Sequence, residues 1–86
     1  MDDIAILREK VDVVDDQILR IIRERVKICQ AIGEFKKQQG KPIQDISREI
    51  EVFKRVKERA ELYKLDPIRI ERIFREIVNM CSSVQE

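Results

Sequence analysis

Residues 4–35, IAILREKVDVVDDQILRIIRERVKICQAIGEF, decide the fold. Apolar side chains recur there at Ile4, Leu7, Val11, Val14, Ile18, Ile21, Ile28, Ile32 and Phe35. The steps alternate three and four, which is the heptad seam of one long helix, and Gly33 is the only glycine in a stretch without proline. One seam position breaks the pattern, because Arg25 stands between Ile21 and Ile28. A cation is aimed at the packed face.

Helix length then becomes an argument about assembly. From Asp3 to Gln39 the helix would run about 55 Å at ~1.5 Å per residue, whereas a compact chain of this size has a radius of gyration near 12 Å. One copy cannot cover such a stripe. The economical solution is a second copy lying beside the first, and a two-fold homodimer is its simplest form.

Outward from this helix the chain breaks twice. Asp2 or Asp3 suits the helix N-terminus, and Gly40 with Pro42 ends it near Gln39, leaving residues 40–44 as a loop. Asp45 is the expected N-cap of a second helix running to about Tyr63, with Ile46, Ile50, Phe53, Val56 and Ala60 inward. A break at residues 64–66 follows. Asp66 and Pro67 form the cap and first-position proline pair that opens a third helix, with Ile70, Ile73, Phe74, Ile77, Cys81 and Val84 inward and fraying after Gln85. No strand signal, repeat or low-complexity segment occurs. The expected fold is all-α, one long and two shorter helices in an intertwined homodimeric helical bundle, with residues 1–86 as a single domain and no room for a regulatory one.

Composition narrows the function. Charged residues make up 41% of the 86, yet 18 Lys and Arg against 17 Asp and Glu nearly cancel, so the broad basic field of a nucleic-acid binder is missing. No apolar run approaches the ~20 residues that cross a bilayer. With no histidine, a histidine triad or a histidine-ligated zinc is excluded. Cys29 and Cys81 lack metal-site spacing, and in a chain without a secretory signal they read as reduced, partly buried thiols of a cytoplasmic protein.

The inward polar residues carry the chemistry. A seam arginine needs either an internal carboxylate or an anionic ligand. Lys36 lies 11 positions after Arg25, which returns it to within about 20° of the same face and roughly 16 Å along the axis. Two long cationic side chains can lean toward one anion between them, over a wall made by Cys29 and Ile32. Close helix packing is the plain reason for Gly33. Arg8, 17 positions before Arg25, is about 25 Å away on the same rod. It serves either as a solvated charge or, across an antiparallel dimer, as a neighbour of the partner's site. Asp45, Arg48 and Glu49 share one face of a helix start, and Gln85 sits one turn beyond Cys81.

As a set, these features resemble the all-α, intertwined-dimer chorismate mutase family of the shikimate pathway. The likeness rests on LREKVDVVDDQIL at residues 7–19, RERVKICQAIGEFK at 23–36, KPIQDISREIEVFKRV at 41–56 and RIFREIVNMCSSVQ at 72–85. It covers nearly the whole chain. The resemblance implies that Arg25 and the partner's Arg8 bind the two carboxylates of chorismate, that Lys36 and Gln85 address its ether oxygen, that Glu49 and the backbone at Asp45 hold the ring hydroxyl, and that Arg48 lines the pocket. Cys81 stands where many members carry Ser or Asn, which affects one minor hydrogen bond. No metal or cofactor is implied, because the rearrangement of chorismate to prephenate is an intramolecular [3,3] shift without nucleophile or proton carrier. Isochorismate-pyruvate lyase shares the implied fold and pocket, and a dimerisation module without activity is the non-enzymatic alternative.

Overall fold

The computed structural model describes residues 2–85, which form three helices: α1 (Asp3–Gln39), α2 (Ile46–Leu62) and α3 (Pro67–Gln85). The expected fraying beyond Gln85 falls on Glu86, outside the described residues. Local chemistry sets the boundaries. Asp2 caps α1 by accepting from Ile4 N at 3.0 Å. At the other end Gly40 takes a left-handed conformation, φ 67°. Gly40 N donates to Lys37 O and Lys41 N to Lys36 O, the paired bonds that close a helix over a residue without Cβ strain. Asp45 and Asp66 cap α2 and α3 through Arg48 N and Ile68 N, each at 3.0 Å.

The turn between α2 and α3 uses the same paired bonds without glycine. Lys64 adopts φ 58°, while Lys64 N donates to Glu61 O and Leu65 N to Ala60 O. A left-handed non-glycine residue is mildly strained, and Pro67 two residues beyond Leu65 prevents α2 from simply continuing.

Helix α3 packs against both α1 and α2. The core is small: Val52, Val56 and Val78 are buried, with Phe53, Ile70 and Phe74 packed on them. An ion pair from Glu71 to Lys57 at 3.0 Å ties α3 to α2, while Arg75 pairs with Glu71 within α3 at 3.4 Å and stacks over Phe53 of α2 at 4.5 Å. The sequence reading holds for Phe53, Val56 and Ala60 on α2 and for Ile70, Phe74 and Cys81 on α3, but not for every residue of either stripe. On α2 the buried stripe is Val52, Val56 and Ala60, while Ile46 and Ile50 are exposed. On α3 it is Val78, Cys81 and Gln85, while Ile73 and Val84 are exposed. Only α3 covers α2, so one narrow face is buried and the apolar residues around it remain in solvent.

The described chain is a rod, 59 × 24 × 15 Å with a radius of gyration of 16.3 Å, well above the ~12 Å of a compact chain of this length. Every described residue from 2 to 21 is exposed. The heptad seam therefore faces outward, with Leu7, Val11, Ile18, Ile21 and Ile28 all more than half exposed. Among the described residues no helix is long and apolar enough to cross a membrane.

Candidate active site

The face that α1 turns toward α3 is not its apolar seam but Arg25, Cys29, Gly33 and Lys36. Steps of four, four and three keep these residues on one side of the helix. At Gly33 the helices nearly touch, for a Cβ there would lie 3.0 Å from Gln85 Cα and 2.9 Å from its Cγ. Glycine is required by that approach. It explains how the short amide of Gln85 reaches across to α1, and why Gln85 is buried at 8% exposure although it closes the last helix.

Two cross-helix contacts define the site. Lys36 Nζ donates to Gln85 Oε1 at 3.0 Å and also to Ile43 O of the loop. The amide oxygen of Gln85 is thereby occupied, and its N–H donors are the part free to serve elsewhere. Arg25 Nη1 donates to Cys81 Sγ at 2.8 Å and lies 3.8 Å from Cys29 Sγ. Pairs 25 with 81, then 33 and 36 with 85, show that α1 and α3 run in the same direction. Among the described residues no carboxylate pairs with Arg25 or Lys36. The internal-carboxylate account of Arg25 thus gives way to a guanidinium oriented by two cysteine sulfurs, with no described carboxylate to balance its charge.

These groups line a cavity of about 370 Å³ between the three helices, together with Asp45, Arg48, Glu49, Arg55 and Ser82 and an apolar lining that includes Ile28, Ile32, Val52 and Val78. The size is that of a small-molecule site. Asp45 spends its carboxylate on the α2 cap, Arg48 pairs with Glu51 at 3.3 Å on the exposed side, and Glu49 is half-buried at the rim. Burial, then a hydrogen bond with Cys81, pushes the Cys29 thiol up, against the opposing pull of Arg25. Four basic and two acidic side chains around the cavity make it a local anion site in a chain of net charge +1.

Of the eight residues read from the sequence, Arg25, Lys36, Asp45, Arg48, Glu49, Cys81 and Gln85 meet at this cavity. Arg8 does not. It is exposed on the projecting half of α1, about 25 Å up the helix from Arg25. Arg55 escaped the sequence reading, although it lies two turns after Arg48 on the same face of α2, a seven-residue spacing that carries the signal.

The chain matches the family described as chorismate mutase type II over residues 7–86. It is 33% identical over 89 residues to the bifunctional chorismate mutase/prephenate dehydratase of Aquifex aeolicus, an alignment that takes in all of this chain and 25% of that protein. It thus spans about a quarter of that relative. It is 28% identical over 86 residues to the chorismate mutase of Methanocaldococcus jannaschii, covering all of this chain and 87% of that one. Among solved structures, a conserved hypothetical protein from Pyrococcus furiosus superposes with a TM-score of 0.79 at 32% identity, covering 100% of this chain and 99% of that one.

Proposed function

Because the chain belongs to the chorismate mutase type II family, we propose that it isomerises chorismate to prephenate, the pericyclic step toward phenylalanine and tyrosine, in the cytoplasm. The observation that carries this reading is the pairing of Lys36 with Gln85 at 3.0 Å on the cavity wall, beside an Arg25 whose charge no described carboxylate answers. A dianion supplies the missing negative charge.

The reaction breaks one C–O bond and forms one C–C bond within a single molecule, so the protein needs only to select the reactive chair and stabilise charge. Arg25 grips one carboxylate. Lys36 and the amide N–H of Gln85 meet the ether oxygen, where negative charge grows as the C–O bond lengthens, and fixed donors aimed there lower the barrier without reorganising. Glu49 and the backbone at Asp45 take the ring hydroxyl, and Arg48 closes the rim. The apolar wall of Ile28, Ile32, Val52 and Val78 keeps the local dielectric low and each charge effective.

The second carboxylate requires a cation from elsewhere. The exposed seam of α1 supports a homodimer in which two long helices cover each other, and an antiparallel arrangement brings Arg8 of the partner subunit to the cavity. The test is direct: purified protein, chorismate, and separation of the products. Stoichiometric prephenate with a two-chain particle by light scattering is the expected result. Salicylate with pyruvate, or intact chorismate beside a well-folded chain, defeats the proposal.

A further inference from the structure

Two thiols meet a guanidinium on the cavity wall, and the rearrangement proposed above uses neither as a redox group. Cys29 on α1 and Cys81 on α3 are both buried and unbridged, and both line the cavity. One nitrogen, Arg25 Nη1, lies 2.8 Å from Cys81 Sγ and 3.8 Å from Cys29 Sγ. The two sulfurs thus share one guanidinium nitrogen. Backbone geometry holds them there. One turn further along each helix, Gly33 and Gln85 mark the close approach of α1 and α3, so positions 29 and 81 face one another across the same tight seam. These are the only cysteines among the 86 residues.

We infer that Cys29 and Cys81 form a dithiol modification site, which a small organic disulfide entering the substrate cavity converts to an intrachain disulfide, and that this bond switches the enzyme off by withdrawing both sulfurs from Arg25. The chemistry is thiol–disulfide exchange. Cys81, with a guanidinium N–H aimed at its sulfur, attacks one sulfur of the reagent as thiolate; the reagent's S–S bond breaks and one small thiolate leaves. Cys29 then gives up its proton and attacks the Cys81 sulfur, releasing the second small thiolate. Two electrons pass from the cysteine pair to the reagent, and the two cysteine protons end on the two released thiols. Burial raises the Cys29 thiol above its ordinary value, which suits it to the second role more than the first. A disulfide sulfur accepts hydrogen bonds weakly, so Arg25 loses the partner that aims it. The switching half of this inference rests on the mutase reading; the bond-forming half does not.

The experiment treats reduced, full-length protein with 2-hydroxyethyl disulfide at neutral pH and follows intact mass, peptide map and chorismate turnover together. Expected are loss of the mass of two hydrogens with no reagent retained, a cross-linked peptide joining Cys29 to Cys81, a fall in turnover of about tenfold or more, and full recovery with dithiothreitol. The Cys29→Ser chain should stop at the mixed disulfide and keep one reagent fragment. A non-reacting bicyclic dicarboxylate that mimics the transition state should slow the oxidation, since it occupies the same cavity. Thiols that stay free, or that join different chains, overturn the dithiol pair. A disulfide that forms with turnover unchanged overturns the switch. A disulfide in a chain with no mutase activity in either redox state overturns the functional reading and upholds the modification site.

Discussion

Replacing Lys36 with Met removes the charge while keeping an unbranched side chain, and the geometry of the site predicts the cost. With Nζ about 3 Å from an ether oxygen that carries roughly half an elementary charge in the transition state, an effective dielectric of about 20 gives an interaction near 2.8 kcal/mol. That corresponds to about a hundredfold in kcat, at the lower end of the ~10²–10³ found when one oxyanion donor is deleted. The ground-state oxygen carries less charge, so KM should move less than kcat. Lys36 has a structural duty too, since it holds Gln85 Oε1 and Ile43 O. Leaving a buried acceptor unpaired costs about 1–3 kcal/mol, so Lys36→Met must be assayed well below its own melting temperature. Loss of chorismate absorbance gives kcat and KM, and far-ultraviolet circular dichroism gives the folded fraction. A folded Lys36→Met protein with nearly wild-type kcat refutes the role of the charge.

Three other outcomes follow from the same geometry. Chains carrying Arg8→Ala, when mixed with chains carrying Arg25→Ala, should regain activity as heterodimers with one intact site; silence after demonstrated subunit exchange contradicts the shared site. Gly33→Ala gains up to about 1 kcal/mol of helix propensity but drives a Cβ against the Gln85 backbone, for a net loss of about 1–3 kcal/mol by urea denaturation and a marked loss of turnover. A more stable Gly33→Ala chain sinks the close-approach argument. The hydrogen bond from Lys57, with the charges of Lys57 and Arg75, holds the Glu71 carboxyl below its ordinary value. The native state then binds that proton less tightly than the unfolded chain. Its stabilisation is present above the ordinary glutamate value of about 4.3 and is lost as pH falls through the lower native one. Wild type and Glu71→Gln should therefore converge in stability under acid, and a gap that persists there removes Glu71 from the account.

What could be read from the sequence, and what could not, separates along a physical line. Helix ends are set by neighbours in the chain, so the caps at Asp45 and Asp66 and the stop at Gly40 are legible, and the start of α1 is narrowed to Asp2 or Asp3. Helical phase is not local. Ile46, Ile50, Ile73 and Val84 are as apolar as Val52 and Val78, and periodicity alone cannot say which apolar face meets α3 and which stays outside the chain. The site was legible where spacing along one helix sufficed, as for Arg25 with Lys36. The pairing of Lys36 with Gln85, 49 positions apart, was reached through family resemblance, since no local rule joins the end of the chain to its first helix. Arg55 had a local signal in its seven-residue offset from Arg48, but none that marked it off from the other exposed cations of α2.

The electrostatics of α1 explain why these requirements fit on one helix. Most of its seam of Ile, Leu and Val faces outward, open to the partner of the proposed dimer, while the adjacent strip of Arg25, Cys29, Gly33 and Lys36 faces α3 and the cavity. The strip works because its partners are uncharged. A carboxylate at position 81 or 85 would neutralise Arg25 or Lys36 internally and spend the attraction that a dianion needs, whereas a thiol and an amide orient the cations while leaving their charge in place. Sulfur is the weaker acceptor, so Arg25 is the more loosely held of the two. The same softness that leaves its charge available makes its orientation depend on the chemical state of Cys29 and Cys81.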